Sequence, residues 1–174
     1  GATATSLAAF TLHSVDAGRI SLTLGGRFNA FAISALDPVV GEIDVRPSAV
    51  VGNAAVLWRA SAGHHLAASV TSGFRAPNVS DVGSLGPFDF GVEVPAPDLR
   101  PERSLTVEVG HRARVGRLSS SLALFETRLD DLIDRVPSTY LGSPVLDGDR
   151  VWRKENVGEA RLHGVEAELE VELP

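Results

Sequence analysis

The nine residues Val165-Glu166-Ala167-Glu168-Leu169-Glu170-Val171-Glu172-Leu173 alternate without a break between apolar side chains and glutamates. Side chains on a strand point to opposite faces with a period of two. The segment therefore rests as a β-strand with one apolar and one acidic face, whereas a helix would spread the glutamates around its whole circumference. The acidic face requires water. The apolar face requires a dry partner, either a protein core or lipid, and the function turns on which of the two it is.

The same period recurs along the chain. Ile20-Ser21-Leu22-Thr23-Leu24 alternates, and the pattern continues through Arg27, Phe28, Asn29 and Ala30. Leu66, Ala68 and Val70 alternate with Ala67, Ser69 and Thr71; Leu105, Val107 and Val109 with Thr106, Glu108 and Gly110; Leu122 and Leu124 with Ser121 and Ala123. These are strands with small or polar residues on one face. About seven are expected, near residues 5–14, 19–31, 45–60, 64–75, 102–114, 117–135 and 150–173. In the last, the apolar phase moves from even positions (Ala160, Leu162) to odd ones (Val165 onward). One strand with a bulge at Gly164 accounts for that change; a hairpin turning at Val157-Gly158 is the other reading.

Tight turns at Asp16-Ala17-Gly18, Ser61-Ala62-Gly63 and Val115-Gly116 alternate with long loops at roughly 32–44, 76–101 and 136–149. In an antiparallel meander this places every short turn at one end and every long loop at the other. Outer-membrane barrels have that layout, whereas soluble sandwiches mix loop lengths at both ends. The strands also exceed the 5–6 residues typical of soluble sheets and reach the roughly 9–11 that cross a hydrocarbon layer. An odd number of antiparallel strands cannot close on itself. The expected fold is therefore all-β, an antiparallel meander forming part of a larger transmembrane β-barrel with open edges.

Composition removes several classes. The chain has no cysteine, which excludes disulfides, thiolate metal sites and a cysteine nucleophile. No apolar run is long enough for a membrane-spanning helix, an absence that says nothing against barrel strands. A net charge of −6 with dispersed arginines argues against a nucleic-acid partner. No nucleophile elbow, phosphate-binding glycine loop or zinc-helix motif is present, so an enzyme is not expected. His64-His65 reads as part of a solvated turn, because neighbours on a strand point to opposite faces. Asp130, Asp131 and Asp134 lack the spacing and glycine of a calcium loop, and Asp147-Gly148-Asp149 reads as a turn. No metal or cofactor is expected. The start at Gly1 without a signal peptide, and the end at Pro174, suggest a piece of a longer chain or, equally, a processed or trimmed one.

Five short boxes resemble TonB-dependent outer-membrane receptors, in that family's order: Gly73-Phe74-Arg75-Ala76-Pro77-Asn78; Pro97-Asp98-Leu99-Arg100-Pro101-Glu102-Arg103-Ser104; Thr106-Val107-Glu108-Val109-Gly110; Leu122 to Ile133; and Glu155 to Glu166. The resemblance covers roughly residues 70–173; the first 60 residues match only in rhythm. It implies a barrel of about 22 strands, preceded by a plug domain, in the bacterial outer membrane. It implies energised uptake of a scarce small-molecule ligand such as an iron-siderophore, cobalamin or another metal chelate, with TonB, the plug and outer-membrane lipid as partners. Residues 1–174 are then expected to be part of that barrel domain, with the plug and the final strands absent. Residues 78–96 contain no histidine, so the resemblance lends no support to haem.

Loop 76–101 is the expected place of ligand contact, since loops on a rigid scaffold carry binding. Arg75, Asn78 and Arg100 are the candidate ligand-binding residues. Arg75 has a second reading, as the partner of a carboxylate such as Glu102 or Glu108. Aromatic residues make up only 6% of the chain, with Tyr140 the single tyrosine. Trp58, Phe74, Phe125 and Trp152 would make a thin interfacial girdle. A soluble all-β ligand-binding module is the alternative that this leaves open.

Overall fold

One row of side chains crosses all seven long strands of the sheet: Val15, Leu22, Val56, Ala68, Val109, Leu124 and Val165. One residue away on each strand, the opposite face carries Ser14, Thr23, Ala55, Ser69, Glu108, Phe125 and Gly164. The two rows are the period-two pattern of the sequence held in register across the whole sheet.

The computed structural model describes residues 2–37, 41–82 and 85–173. Of the expected loops, residues 38–40 and 83–84 lie outside the described residues, as do Gly1 and Pro174. The elements in chain order are β1 (Ala2–Ala17), β2 (Ile20–Asp37), β3 (Gly41–Val45), β4 (Ser48–Ser61), β5 (His64–Arg75), α1 (Val79–Val82), β6 (Gly86–Phe88), β7 (Gly91–Val94), β8 (Glu102–Val115), β9 (Leu118–Pro137), β10 (Val145–Leu146) and β11 (Asp149–Val171). The long strands pair as an antiparallel meander in the order β1-β2-β4-β5-β8-β9-β11. β3 pairs with the outer end of β2, and β10 with the start of β11. β7 joins the far side of β11 in parallel at Val151–Arg153, with β6 beyond it. β1 and the rest of β11 are free edges among the described residues, so the sheet is open.

Two expectations need correction. β2 continues to Asp37 and folds back onto β3, so most of the expected loop 32–44 is strand. Ile33, Ala35 and Ile43 are buried there, a small apolar set too short to show a clear period in sequence. β11 is one strand, but its bulge is not at Gly164. Register runs unbroken from Ala160–Leu129 to Val171–Leu118, and the shifts fall between Asn156 and Ala160. Leu162 lies on the polar face opposite Thr127, which imitated a change of phase. Gly164 is small for another reason: a Cβ there would come within 2.6 Å of the Phe125 ring on the facing strand. At Asp147-Gly148 the expected turn is present, both residues having positive φ (53° and 95°), as a two-residue type I′ connection requires.

Among the described residues, the packed apolar cluster lies at the loop end of the sheet. Ile33, Val82, Ala96 and Leu99 are buried there, with Val45, Val79 and Ile133 packed around them. Ile33 shares the polar face with Asn29 and Arg27, so the loop segments fold over that face. Among the described residues nothing covers the apolar face. Leu22, Val109, Leu124 and Val165 stay 42, 49, 49 and 66% exposed. Trp58, Phe28 and Phe74 share that face by register. Phe125 stands on the polar face and Trp152 meets the loops; Phe74, outward by register, packs edge-on against Phe31, so Trp58 alone of the four expected girdle residues stands on the bare face without such a contact among the described residues.

A cation on the bare face separates the two possible dry partners. Val109→Lys is expected to destabilise the bilayer-reconstituted full-length protein by about 2–4 kcal/mol, the cost of a lysine near the midplane. Glu108→Lys, on the other face, should cost much less. Denaturant titrations in lipid measure the difference.

Candidate functional site

Strand pairing places Arg75, the last residue of β5, directly opposite Glu102, the first of β8. The Arg75 guanidinium donates two parallel hydrogen bonds to the Glu102 carboxylate, at 2.7 and 2.6 Å. Such bidentate pairs fix orientation as well as distance. Glu102 also accepts the Ile133 amide at 2.9 Å. The third guanidinium nitrogen of Arg75 reaches Asp81 at 2.8 Å. Arg75 thus takes its carboxylate-paired reading with Glu102, while Glu108 sits well away, opposite Ser69 and Phe125.

Asn78 opens the single helical turn α1. Its side-chain oxygen accepts the Ser80 hydroxyl and the Asp81 amide, at 2.7 and 2.9 Å. Asp81 returns the bond by accepting the Asn78 amide at 3.0 Å. This reciprocal arrangement satisfies the free amides at a helix start. Lys154 of β11 donates to the Ser80 carbonyl at 2.7 Å and lies 3.3 Å from Asp81 and 3.2 Å from Glu93. Arg135 of β9 pairs with the other oxygen of Glu93. Three cations and three carboxylates therefore form one chain: Glu102, Arg75, Asp81, Lys154, Glu93, Arg135. Asp81 and Glu93 are buried, a state that carboxylates reach only when paired. Burial by itself would raise the Asp81 carboxyl; the Asn78 amide, Arg75 and Lys154 outweigh it and hold it below the usual carboxylate range.

The second end of the loop is clamped by Asn156. Its side-chain oxygen accepts the Arg100 amide at 2.8 Å, and its NH₂ donates to the carbonyls of Arg100 and Asp131, at 2.9 and 2.7 Å. The Arg100 side chain pairs with Asp131 at 2.6 Å and stays two-thirds exposed. Asp98 pairs with Arg153 of β11. The sequence boxes thus converge in space: Arg75, Asn78, Arg100, Glu102, Ile133 and Asn156 come from four of them and form one junction. Of the three candidates, Arg75 and Asn78 are occupied by the protein's own groups, and Arg100 is paired with an open guanidinium edge.

A surface that the sequence reading did not assemble lies beyond this junction. Phe88 stands edge-on to Phe90 and to Trp152, with ring centroids 6.1 and 6.5 Å apart. The Arg135 guanidinium sits 4.7 Å above the Phe88 ring. The Trp152 indole donates to the Phe90 carbonyl at 3.2 Å, and Phe90 itself is 77% exposed. Two aromatics in loop 76–101 were a visible signal, but nothing periodic links them to Trp152.

The histidines separate as adjacent strand residues must. His64 bonds to His111 across the apolar face, at 3.2 Å. His65 lies on the polar face, in a cavity of about 420 Å³ near the short turns, with Arg112, Arg114, Glu168 and Glu170.

An open meander with one bare apolar face, tight turns at one end and ion-paired loops at the other is a segment of a membrane-spanning barrel wall. A family model described as TonB dependent receptor-like, beta-barrel, matches residues 1–173, and the chain belongs to that family. It is 27% identical over 101 residues to the vitamin B12 transporter BtuB of Vibrio vulnificus (strain YJ016), a match covering 58% of this chain and 14% of that protein. In fold it is similar to the FrpB iron transporter from Neisseria meningitidis (F3-3 variant), with a TM-score of 0.74 at 19% identity over 99% of this chain and 23% of that one. It is likewise similar to the Serratia marcescens hemophore receptor HasR, solved with its hemophore HasA and heme, with a TM-score of 0.76 at 18% identity over 97% of this chain and 31% of that one. The chain thus spans a third or less of the length of these proteins.

Asp81 sets a pH limit on the anchored loop. Its folded value is depressed, so its contribution is complete above the ordinary carboxylate range, near 3.9, and is lost as pH falls through the folded value. Hydrogen exchange over residues 76–101 of the full-length protein is expected to be slow at pH 6 and to rise below about pH 4. Asp81→Asn should raise exchange already at pH 6 and flatten the acid dependence.

Proposed function

We propose that this chain forms part of the barrel wall of a bacterial outer-membrane receptor. The receptor takes up a scarce nutrient, such as an iron-siderophore or cobalamin, by TonB-dependent active transport. The apolar row from Val15 to Val165, bare across seven strands, is the observation that carries the reading. Outer-membrane lipid covers that face, and the opposite face lines the interior that holds the plug. Family membership and the transporters among its relatives support the class.

The wall's part in transport is binding and support, without covalent chemistry. The ligand meets the loop end. Phe88, Phe90 and Trp152 with Arg135 offer flat apolar surface beside a cation, which suits an anionic chelate with aromatic or planar groups. Arg100, with an open guanidinium edge, is a second contact. Arg75 and Asn78 act one step behind, holding the loop that presents those groups.

The test uses the full-length receptor in cells starved for iron or cobalamin. Labelled ferric siderophores of catecholate and hydroxamate type and cyanocobalamin are offered in turn. One class is expected to accumulate only when TonB is present. The double variant Phe90→Ala, Trp152→Ala should weaken its binding about tenfold or more, equivalent to roughly 1.4 kcal/mol. Accumulation of none of the three, or accumulation independent of TonB, rejects the transport reading. Unchanged affinity in the double variant moves the contact surface elsewhere.

A further inference from the structure

The sheet is split at one place. β4 and β5 pair from Ser61–His64 up to Asn53–Thr71 and no further. One step beyond, the Ser72 hydroxyl replaces the ladder, accepting the Gly52 amide at 2.8 Å and donating to the Gly52 carbonyl at 3.1 Å. Above it, Ser48–Val51 stay paired with β2, and Gly73–Arg75 stay paired with β8, but the two segments no longer pair with each other. A groove of about 550 Å³ opens there. Its apolar lining includes Phe28, Val50, Phe74 and Leu105, which share the outward face by register, and Val51 from the opposite face; Phe74 also stands edge-on to Phe31, with ring centroids 5.9 Å apart. Arg103 stands at its loop end.

Arg103 is exposed and has no ion pair among the described residues, although Asp130 faces it in the register. On the same face, Arg161 is likewise exposed and without an ion pair, and lies opposite Arg128, which is taken by Glu126. These two guanidinium groups lie just past the apolar rows, at a level where the same face also carries Glu126, Arg128 and Asp130. That is the depth at which a strand leaves hydrocarbon. An unpaired strand edge is tolerated only where a polar group can meet it. Arginine binds phosphate through paired N–H groups.

We infer that this split is a binding site for an anionic phospholipid, one whose phosphate headgroup carries net negative charge. One acyl chain lies along Phe28, Val50, Phe74 and Leu105, and the phosphate is held by Arg103, while Arg161, two strands away on the same face, adds a second positive charge. The inference rests on the proposed membrane location. An isolated anion has no use for the apolar groove, and a neutral lipid has none for the arginines.

The experiment is native mass spectrometry of the full-length receptor released from detergent micelles, with phosphatidylglycerol, phosphatidylcholine or inorganic phosphate added. Phosphatidylglycerol is expected to be retained at least fivefold over phosphatidylcholine. Arg103→Glu with Arg161→Glu should remove that preference. Val50→Trp, which fills the groove, should reduce retention of phosphatidylglycerol while leaving both arginines in place. Heat-modifiable gel migration confirms that each variant is folded. Equal retention of the two lipids, or a preference that survives the double arginine variant, overturns the site. Retention of inorganic phosphate alone replaces it with a free-anion site. Nutrient uptake, measured in the same variants, is expected to persist. Lipid retention failing while uptake is intact rejects this inference alone; a receptor that stays monodisperse without detergent rejects the membrane location beneath it.

Discussion

The bidentate pair of Arg75 with Glu102 decides how the outer end of this wall is built. Both residues end strands, and strand pairing sets them opposite each other before any loop forms. Closing the long segment 76–101 costs entropy that grows only slowly with its length. Its two ends are already neighbours in the ladder, so the remaining cost is that of choosing one path. Arg75 makes that choice by using its third nitrogen on Asp81, inside the loop. Glu102 makes a second choice by accepting the Ile133 amide, which ties the same junction to β9. From these two residues the chain of charges runs on to Lys154, Glu93 and Arg135.

The rest of the wall obeys a different constraint. Its strands stand between two unlike environments, and each row of side chains must be consistent across all seven. A slip of one residue in any pair would turn that strand's valines and leucines inward and its serines and glutamates outward. The short turns hold the register at one end. At the other, the ion-paired junction does so, which explains why Asn156 clamps the loop beside the bulge at 156–160. The irregular backbone at Asp131, with positive φ, lies against the same clamp. These irregularities lie at the level where water and loop groups can satisfy them.

The strands were legible because a period of two is a local signal that needs no knowledge of partners. A carboxylate partner for Arg75 was legible, with Glu102 and Glu108 both open; strand register chose Glu102, since residues ending consecutive strands of a meander face each other. Gly164 and Leu162 misled because a glycine beneath an aromatic ring and one leucine on the polar face look, in sequence, like an inserted residue. Lys154, Asp81 and Glu93 were out of reach. The path of loop 76–101 across the polar face brings them together, and that path has no period. Phe88, Phe90 and Trp152 failed for the same reason: their contact depends on β7 pairing in parallel with the start of β11, a crossover that alternation does not encode.

The anchoring of the loop by charges, with only a small apolar cluster beneath it, bears on what such a loop can do. Ile33, Val82, Ala96 and Leu99 form the apolar part of that anchor. A buried ion pair contributes less to net stability than its contacts suggest, because removing its charges from water offsets most of the attraction. What it contributes is geometry. Each partner must be at its place, or a carboxylate such as Asp81 or Glu93 is left buried and unpaired. The loop is therefore well defined in its docked position but not deeply bound to it. The contact surface proposed above, which would take hold of a ligand and later release it, needs that combination. The aromatic residues above the junction are positioned by a balance of charges that the charge of such a ligand would alter.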